Sequence, residues 1–198
     1  PLNAILGWNR ILAIKRSDDP EVKAVTPRIE HSAKAQLKMV NDLLDLGRIG
    51  TGKLRITPRQ MRLATLIGVA VDAIRPAAAA KGIDVAVDVE GPRAQIFGDP
   101  DRLSQVIGNL LSNAIKFTPE GGAVSIKADR DVVGRVIVCV RDTGIGIAEE
   151  SIPLAFEPFR QIDSTLSRKY EGTGLGLSQV KTLIELHKGE VRIESTPG

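Results

Sequence analysis

Two asparagines that lie four residues apart could act together as ligands on one face of a helix. Asn109 and Asn113 lie in the segment NLLSNAIKF and would share one face of a helix. Apolar residues crowd the same helix, so an amide near the core needs a polar partner. A Mg²⁺ ion that carries phosphate oxygens would be such a partner, because an amide carbonyl is a hard oxygen ligand. Solvated amides on a helix surface are the alternative interpretation.

Two glycine loops follow, with the sequences DTGIGI and GTGLGL. The first comes after an apolar strand and presents Asp142, whose carboxylate can accept a hydrogen bond from an exocyclic amine such as that of adenine. The second contains Gly172, Gly174 and Gly176 and opens a helix, where free N–H groups and the helix dipole favour phosphate. Each loop alone also fits a tight turn. Together they predict one loop for a base and the other for a polyphosphate.

The segment between the glycine loops, FEPFRQIDSTLSRKYE, is long and polar. It carries the basic residues Arg160, Arg168 and Lys169. These features are typical of a mobile lid over an anion, and we interpret the segment in that way.

The elements that would position these residues form an α/β unit after residue 50. Sequence patterns predict helices over 63–80, 100–117 and 178–187, the second with Asp99 as its N-cap and Pro100 at its first position. Strands are predicted for LRIT, IDVAVDVE, AVSIKA, RVIVCVRD and VRIES. The unit is therefore predicted to be an α/β sandwich.

The first 50 residues have a different pattern, which predicts a helical hairpin. SDDPE supplies a turn with Pro20 at a helix start. The second helix carries an apolar seam at Ile29, Ala33, Leu37, Val40 and Leu44. A hairpin this small buries too little apolar surface by itself, so we predict a homodimeric four-helix bundle. The glycines of GRIGTGK mark the boundary, which gives domains 1–50 and 51–198.

Composition excludes several other classes of protein. The 198 residues are 42% hydrophobic, and 27 basic and 24 acidic residues are mixed along the chain, so nucleic acid is not an expected partner. No uncharged stretch approaches the roughly 20 apolar residues of a membrane span, so no direct membrane contact is expected. The single cysteine, Cys139, lies in the apolar run VIVCV and predicts a buried thiol in a reducing compartment, the cytoplasm.

Four motifs in order and at matching spacing make the chain resemble the transmitter region of a two-component sensor histidine kinase. NLLSNAIKF resembles the N box, DTGIGI and GTGLGL the two glycine boxes, and FEPF the F box. The hairpin resembles the dimerisation and phosphoacceptor domain. Residues from about 54 onward resemble the ATP-binding domain, whose Bergerat fold is a two-layer α/β sandwich with a mixed sheet. The implied fold class of the whole chain is α+β.

The same resemblance implies a function and site residues. The protein would use ATP to phosphorylate its own histidine and pass the phosphate to an aspartate of a response-regulator receiver domain. Asn113 would bind Mg²⁺, Lys116 would meet phosphate, Phe117 would lie against the nucleotide and Asp142 would receive the adenine amino group. The ATP-binding residues implied are Asn109, Asn113, Lys116, Phe117, Asp142, Gly144, Gly146, Thr173, Gly174, Leu175, Gly176 and Leu177.

The phosphoacceptor itself is expected just before Pro1. In the family PLNAILG is the tail of the H box, which begins with the phosphorylated histidine, so the chain is expected to be truncated at its start. It also stops at STPG, where the family continues into another strand, so truncation is expected there too. His31 lacks the following acid and proline and is predicted to lie on the bundle surface, while His187 is predicted to end a helix.

The family's lid arginine is replaced by Gln161, so a phosphate contact by Arg160 is not implied.

An ATP-hydrolysing switch of the same fold is the alternative function. The heat-shock chaperone, topoisomerase and mismatch-repair ATPases place a glutamate four residues before the metal-binding asparagine to activate water. Here that position is Asn109, and an amide is a poor general base. A dimerisation module without enzymatic activity would have no use for two glycine loops.

Overall fold

A computed structural model describes residues 1–89, 95–162 and 173–197. The chain divides into two compact units, Pro1–Leu54 and Arg55–Gly198. The first unit is helical and the second contains every strand found in the described residues. The α+β class predicted from the sequence is confirmed.

The first unit is a hairpin of α1 (Leu2–Lys15) and α2 (Pro20–Gly50). The carboxylate of Asp19 caps α2 by accepting N–H bonds from Glu21 and Val22, with Pro20 at the first helical position. Between the helices, buried Asn9 donates from Nδ2 to the Thr26 carbonyl at 2.8 Å. This bond fixes the side-by-side placement of the two helices.

A single copy of the hairpin leaves much of its predicted apolar seam uncovered. Ala33 is buried, but Ile29, Val40 and Leu44 are 37%, 43% and 56% exposed. On α1 the indole of Trp8 is 71% exposed. Covering these apolar side chains with another surface would remove them from water and so lower the free energy of the protein.

The second unit is a mixed α/β structure, as the family resemblance implied. Its elements are β1 (Arg59–Arg62), α3 (Leu63–Ala80), β2 (Asp84–Val89), β3 (Gln95–Gly98), α4 (Pro100–Phe117), β4 (Ala123–Arg130), β5 (Val136–Asp142), a 3₁₀ turn (Glu149–Ser151), α5 (Ile152–Ala155) and α6 (Gly176–Leu186). Strands β1 and β3 pair antiparallel. In the three-stranded sheet β2-β4-β5, β4 is parallel to β2 and antiparallel to β5.

The core lies between this sheet and the helices α3 and α4. Strand β4 buries alternate side chains and exposes those between them, as the two-residue period of a strand requires. The most deeply buried core residues are Ile67, Val71, Leu111, Val124 and Ile126. Helix α3 is long and apolar enough to span a membrane by composition, yet its inner face is part of this core. It is a core helix of the unit.

Two of the predicted strands are wrong. LRIT forms no strand because Leu54 N–H donates to the carbonyl of Arg48 at the end of α2, and Thr57 N–H donates to Asp99. VRIES forms no strand within the described residues 173–197, where none of its residues joins a ladder. A strand needs such a hydrogen-bonded neighbour, which an alternating pattern does not reveal.

The prediction of a buried thiol at Cys139 is also wrong. Cys139 is exposed, whereas its neighbours Val138 and Val140 are half-buried on the other side of β5. The apolar run VIVCV resembled a strand buried on both faces, but only one face of β5 meets the helices.

Candidate functional site

Helix α4 is the element around which the site is built. Its N-cap, Asp99, accepts N–H bonds from Asp101 and Arg102 through Oδ1 and from Thr57 through Oδ2, at 3.1, 3.2 and 2.7 Å. Pro100 follows at the first helical position. This cap, predicted from the sequence, fixes where α4 starts and therefore where the side chains along it lie.

The cap also sets the pKa of Asp99. Burial is the largest single influence and acts to raise the pKa, but the N–H groups of Thr57, Arg102 and Asp101 together outweigh it. The net result is a pKa below the ordinary value of an aspartate. Asp99 is thus held as a carboxylate in the folded protein.

The start of α4 is joined to the end of α6 through His187. The Nε2 atom of His187 accepts the backbone N–H of Asp99 at 2.9 Å, while Nδ1 lies 2.7 Å from the Leu183 carbonyl and donates to it. These two bonds correspond to the tautomer in which Nδ1 carries the hydrogen and Nε2 is the acceptor. Gly98 leaves room for it, since an added Cβ would lie 3.2 Å from His187 Cδ2.

We expect Asp99→Ala to lower the free energy of unfolding of the second unit by about 1 to 2 kcal/mol at pH 7. Because the folded pKa is lowered, the contribution of Asp99 is present above its unfolded pKa and is lost as the pH falls through the folded one. Urea unfolding at pH 7 and near pH 3 measures this difference. Asp101→Ala, an exposed carboxylate in the same turn, is the matched control. A loss of equal size at both pH values would contradict the ionised cap.

The two asparagines of α4 face the second glycine loop. An added Cβ at Gly176 would lie 3.7 Å from Asn113 Nδ2 and 3.9 Å from Asn109 Cγ. Asn109 is buried and donates from Nδ2 to Oε1 of Gln179 at 3.3 Å. Asn113 is half-buried and has no hydrogen bond to any residue that the structure describes. The two amides therefore differ: one joins α4 to α6, and the other is open to a ligand.

The second glycine loop leads directly into α6. Gly174 has φ +69°, and an added Cβ would lie 2.8 Å from the Arg160 carbonyl, so only glycine fits there. Thr173 Oγ1 accepts the N–H of Leu175, and Leu175 is fully buried under the loop. No described side chain caps the start of α6 at Gly176. Its first N–H groups, together with the helix dipole, could therefore hold an anion.

The first glycine loop follows β5 at Asp142. The exposed carboxylate of Asp142 accepts the N–H of Gly144 through Oδ1 at 2.9 Å, and Oδ2 accepts no hydrogen bond from the described residues. Gly146 has φ +68° and packs against the backbone of Thr196, which excludes a side chain. The loop is held to the end of α4, because Ile145 N–H donates to the Phe117 carbonyl at 3.3 Å.

Lys116 and Phe117 are the last two residues of α4, and the Phe117 carbonyl is bonded to the first glycine loop. The Lys116 ammonium lies 4.7 Å from the centroid of the Phe117 ring. Burial lowers the pKa of Lys116 below its ordinary value, because the charged form is partly removed from water. A bound anion would restore a charged partner to this lysine.

The structure brings most of the candidate residues together through α4. Its middle faces the start of α6 and its end meets the first glycine loop. Gly172 and the lid residues Arg168 and Lys169 lie outside the described residues. Arg160 pairs with Glu157 at 3.1 Å. Leu177 is half-buried in the first turn of α6.

Sequence reasoning missed two residues of the site. Gln179 is 1% exposed and holds Asn109, and Ser195 Oγ accepts the N–H of Ile147 at 2.8 Å in the first glycine loop. A polar residue within the apolar helix GLSQVKTLI was the available signal for Gln179. Nothing local to the sequence marks Ser195.

Comparison with known proteins agrees with this geometry. Residues 98–198 match the family "Histidine kinase-, DNA gyrase B-, and HSP90-like ATPase", and residues 1–52 match the "His Kinase A (phospho-acceptor) domain". The non-motile and phage-resistance protein of Caulobacter vibrioides is 40% identical over all of this chain and 24% of its own length. Sensor histidine kinase GacS of Pseudomonas protegens is 37% identical over all of this chain and 22% of its own.

Solved structures of histidine kinases are also similar to this chain. Full-length ShkA in complex with AMPPNP superposes with a TM-score of 0.73 at 32% identity, over 94% of this chain and 38% of its own. Histidine kinase AdeS of Acinetobacter baumannii shares the fold, with a TM-score of 0.69 at 21% identity over 99% of this chain and 89% of its own. The chain therefore belongs to the two-component sensor histidine kinases. It spans about a quarter of the length of the curated relatives named above.

Proposed function

We propose that this chain is the ATP-binding and dimerising part of an autophosphorylating histidine kinase. One observation supports the proposal above others: the open amide of Asn113 and the uncapped start of α6 both lie at Gly176. An amide oxygen suits Mg²⁺ and a helix N-terminus suits phosphate. Asp142 lies at the other glycine loop, where its carboxylate would receive the amino group of adenine. ShkA, a relative of similar fold, was solved in complex with AMPPNP.

The residues present fit a Mg²⁺ ion that is held mainly by the nucleotide. Within the described residues there is no cluster of three or more His, Cys, Asp or Glu side chains that could cage a metal. Asn113 would therefore be a protein ligand to an ion whose other ligands are phosphate oxygens and water. When bound, the ion neutralises phosphate charge.

In the proposed reaction the γ-phosphoryl group moves from ATP to a histidine nitrogen. The P–O bond to ADP breaks, a P–N bond forms and the imidazole gives up a proton. Such a transfer needs alignment and charge neutralisation more than covalent help. The N–H groups at the start of α6 would hold phosphate oxygens in place, and the ammonium of Lys116 would balance their charge.

We expect Asn113→Ala to weaken ATP binding in the presence of Mg²⁺ by about tenfold or more, with a smaller loss in EDTA. The reason is that Asn113 contacts the nucleotide through the metal. Isothermal titration calorimetry of ATP in both conditions measures the effect. The control is Ser112→Ala, the neighbouring exposed position on α4.

The control variant, the metal-free condition and the unaltered chain separate the explanations. Ser112→Ala should bind ATP like the unaltered chain in both conditions. Equal losses for Asn113→Ala with and without Mg²⁺ would show that the metal role is misplaced. No ATP binding by the unaltered, folded chain would contradict the proposed function itself.

The ATP-hydrolysing switch is not favoured by the geometry at Asn109. That side chain is buried and donates to Gln179, and an amide cannot take a proton from water. The position therefore acts in joining α4 to α6.

The first unit supplies the surface for a proposed dimer. We propose that the exposed seam residues of α2 meet the same hairpin of a second copy, which forms a four-helix bundle. A shallow groove between α1 and α2, lined by Leu2, Ile5 and Ile29, lies on this apolar surface. The receiver domain of a response regulator is the proposed phosphate acceptor downstream, and the cytoplasm the proposed location.

A further inference from the structure

The end of α4 is fastened by a lysine that the nucleotide motifs do not include. Lys81 follows α3, and its ammonium donates to the carbonyls of Ile115, Lys116 and Thr118 at 2.8, 2.9 and 3.0 Å. An ammonium has three donors, which matches the number of carbonyls bonded here. The positive charge also lies at the negative end of the α4 dipole.

The remaining carbonyls of this helix end are also accounted for. The carbonyl of Ala114 accepts both the N–H and the hydroxyl of Thr118, at 3.0 and 2.7 Å. The carbonyl of Phe117 accepts the N–H of Ile145 in the first glycine loop. The carbonyls of 114–118 therefore all have protein partners, where a helix end commonly leaves several to water. Phe117 is the position in this series that bonds to the nucleotide loop.

The docking of the loop on Phe117 is close. An added Cβ at Gly144 would lie 2.8 Å from the Phe117 oxygen, so the loop backbone packs against this carbonyl with no room for a side chain between them. Asp142 is bonded to Gly144 through its own Oδ1, so a displaced loop also moves the carboxylate assigned to adenine. A continuous series of contacts thus joins Lys81 to the base pocket.

We infer that Lys81 is a positioning residue of the nucleotide site, which holds the end of α4 so that Phe117 can dock the first glycine loop. Lys81 acts through the backbone carbonyls that it binds, and the proposal gives it no direct contact with the nucleotide. Without the ammonium, three helix carbonyls lose their partner and the last turn of α4 loosens. The consequence for ATP affinity rests on the proposed function, but the effect on the loop does not.

The first test measures amide hydrogen exchange of the nucleotide-free chain by NMR. In Lys81→Met we expect the Ile145 amide to exchange about tenfold faster, with amides of the β4–β5 ladder unchanged. The matched control is Lys127→Met, an exposed lysine whose ammonium meets only Asp88 at 3.5 Å among the ion pairs described. Unchanged exchange at Ile145 in Lys81→Met would overturn the inference, whether or not ATP binds.

The second test measures ATP affinity across graded substitutions. Arginine keeps several donors, glutamine keeps two and methionine none, so affinity should fall in the order Lys81→Arg, Lys81→Gln, Lys81→Met, by about tenfold at the last. If Lys81→Met does not fold, the arginine and glutamine variants still decide the order. Equal affinity in all folded variants would overturn the inference, whereas absence of ATP binding in the unaltered chain would contradict only the proposed function.

Discussion

Asp142→Ala is expected to lower ATP affinity by roughly 10- to 150-fold while the fold is retained. The carboxylate is exposed, so its removal opens no cavity in the core. Its Oδ2 accepts no hydrogen bond from the described residues, whereas Oδ1 accepts Gly144 N–H at 2.9 Å. A hydrogen bond that a ligand donates to a charged acceptor contributes about 1.5 to 3 kcal/mol, which corresponds to the stated loss.

The measurement is calorimetric titration with ATP, accompanied by thermal unfolding to verify the fold. Asp129→Ala removes an exposed carboxylate from the same sheet, and should leave the affinity unchanged. Asp142→Asn keeps an acceptor oxygen without the charge, so its ATP affinity should lie between those of Asp142→Ala and Asp129→Ala. GTP offers a carbonyl where ATP has its amino group, so the discrimination between ATP and GTP should fall with the affinity. A folded Asp142→Ala chain that binds ATP normally would contradict the assignment.

Features set by neighbouring residues were predictable from the sequence. The cap Asp99 with Pro100 predicted the start of α4 at the residue where the structure has it, because the cap bonds span only two or three positions. The helix over 63–80 was likewise predicted from its apolar period. The helix predicted from Ser178 starts two residues earlier, at Gly176, because a glycine that opens a helix has no side-chain signal.

Features set by distant partners were not predictable. Cys139 is exposed because only one face of β5 meets the helices, and the strand sequence alone does not say which face is covered. Lys81 is 34 residues or more from the carbonyls it binds, and nothing in its neighbourhood distinguishes it from a surface lysine. The failure of VRIES to form a strand has the same cause, because a ladder depends on a partner strand.

The candidate site lies between these two cases. Asn109 and Asn113 were expected on one face of a helix, and both lie near Gly176. Their spacing alone did not separate their roles, and only the family resemblance assigned Mg²⁺ to Asn113. In the structure the separation depends on Gln179, which lies 70 residues from Asn109 along the chain and bonds only that one of the two amides. The motifs therefore predicted which residues gather, and the packing of α4 on α6 decides which amide remains open to a ligand.

The largest expected effect concerns the phosphoacceptor. The chain as printed contains only His31 and His187. In the structure both ring nitrogens of His187 are bonded, one to Asp99 N–H and one to the Leu183 carbonyl, so neither can attack phosphate without breaking the link between α4 and α6. His31 is exposed on α2, yet it lacks the acidic residue and proline that follow the acceptor in the H box. We therefore expect the 198-residue chain to bind ATP without labelling itself.

We propose that the acceptor is a histidine shortly before Pro1, so a chain extended at its start to include that histidine and the acidic residue after it should label. Both chains are incubated with γ-labelled ATP and Mg²⁺, and the labelled residue is mapped. The label should be lost in acid and retained in base, because a phosphoramidate hydrolyses readily when protonated. His31→Gln in the longer chain should label normally, which separates a surface histidine from the acceptor. Equal labelling of the short chain at His31 or His187 would contradict this placement, and steady release of free phosphate without labelling of either chain would favour the hydrolytic switch.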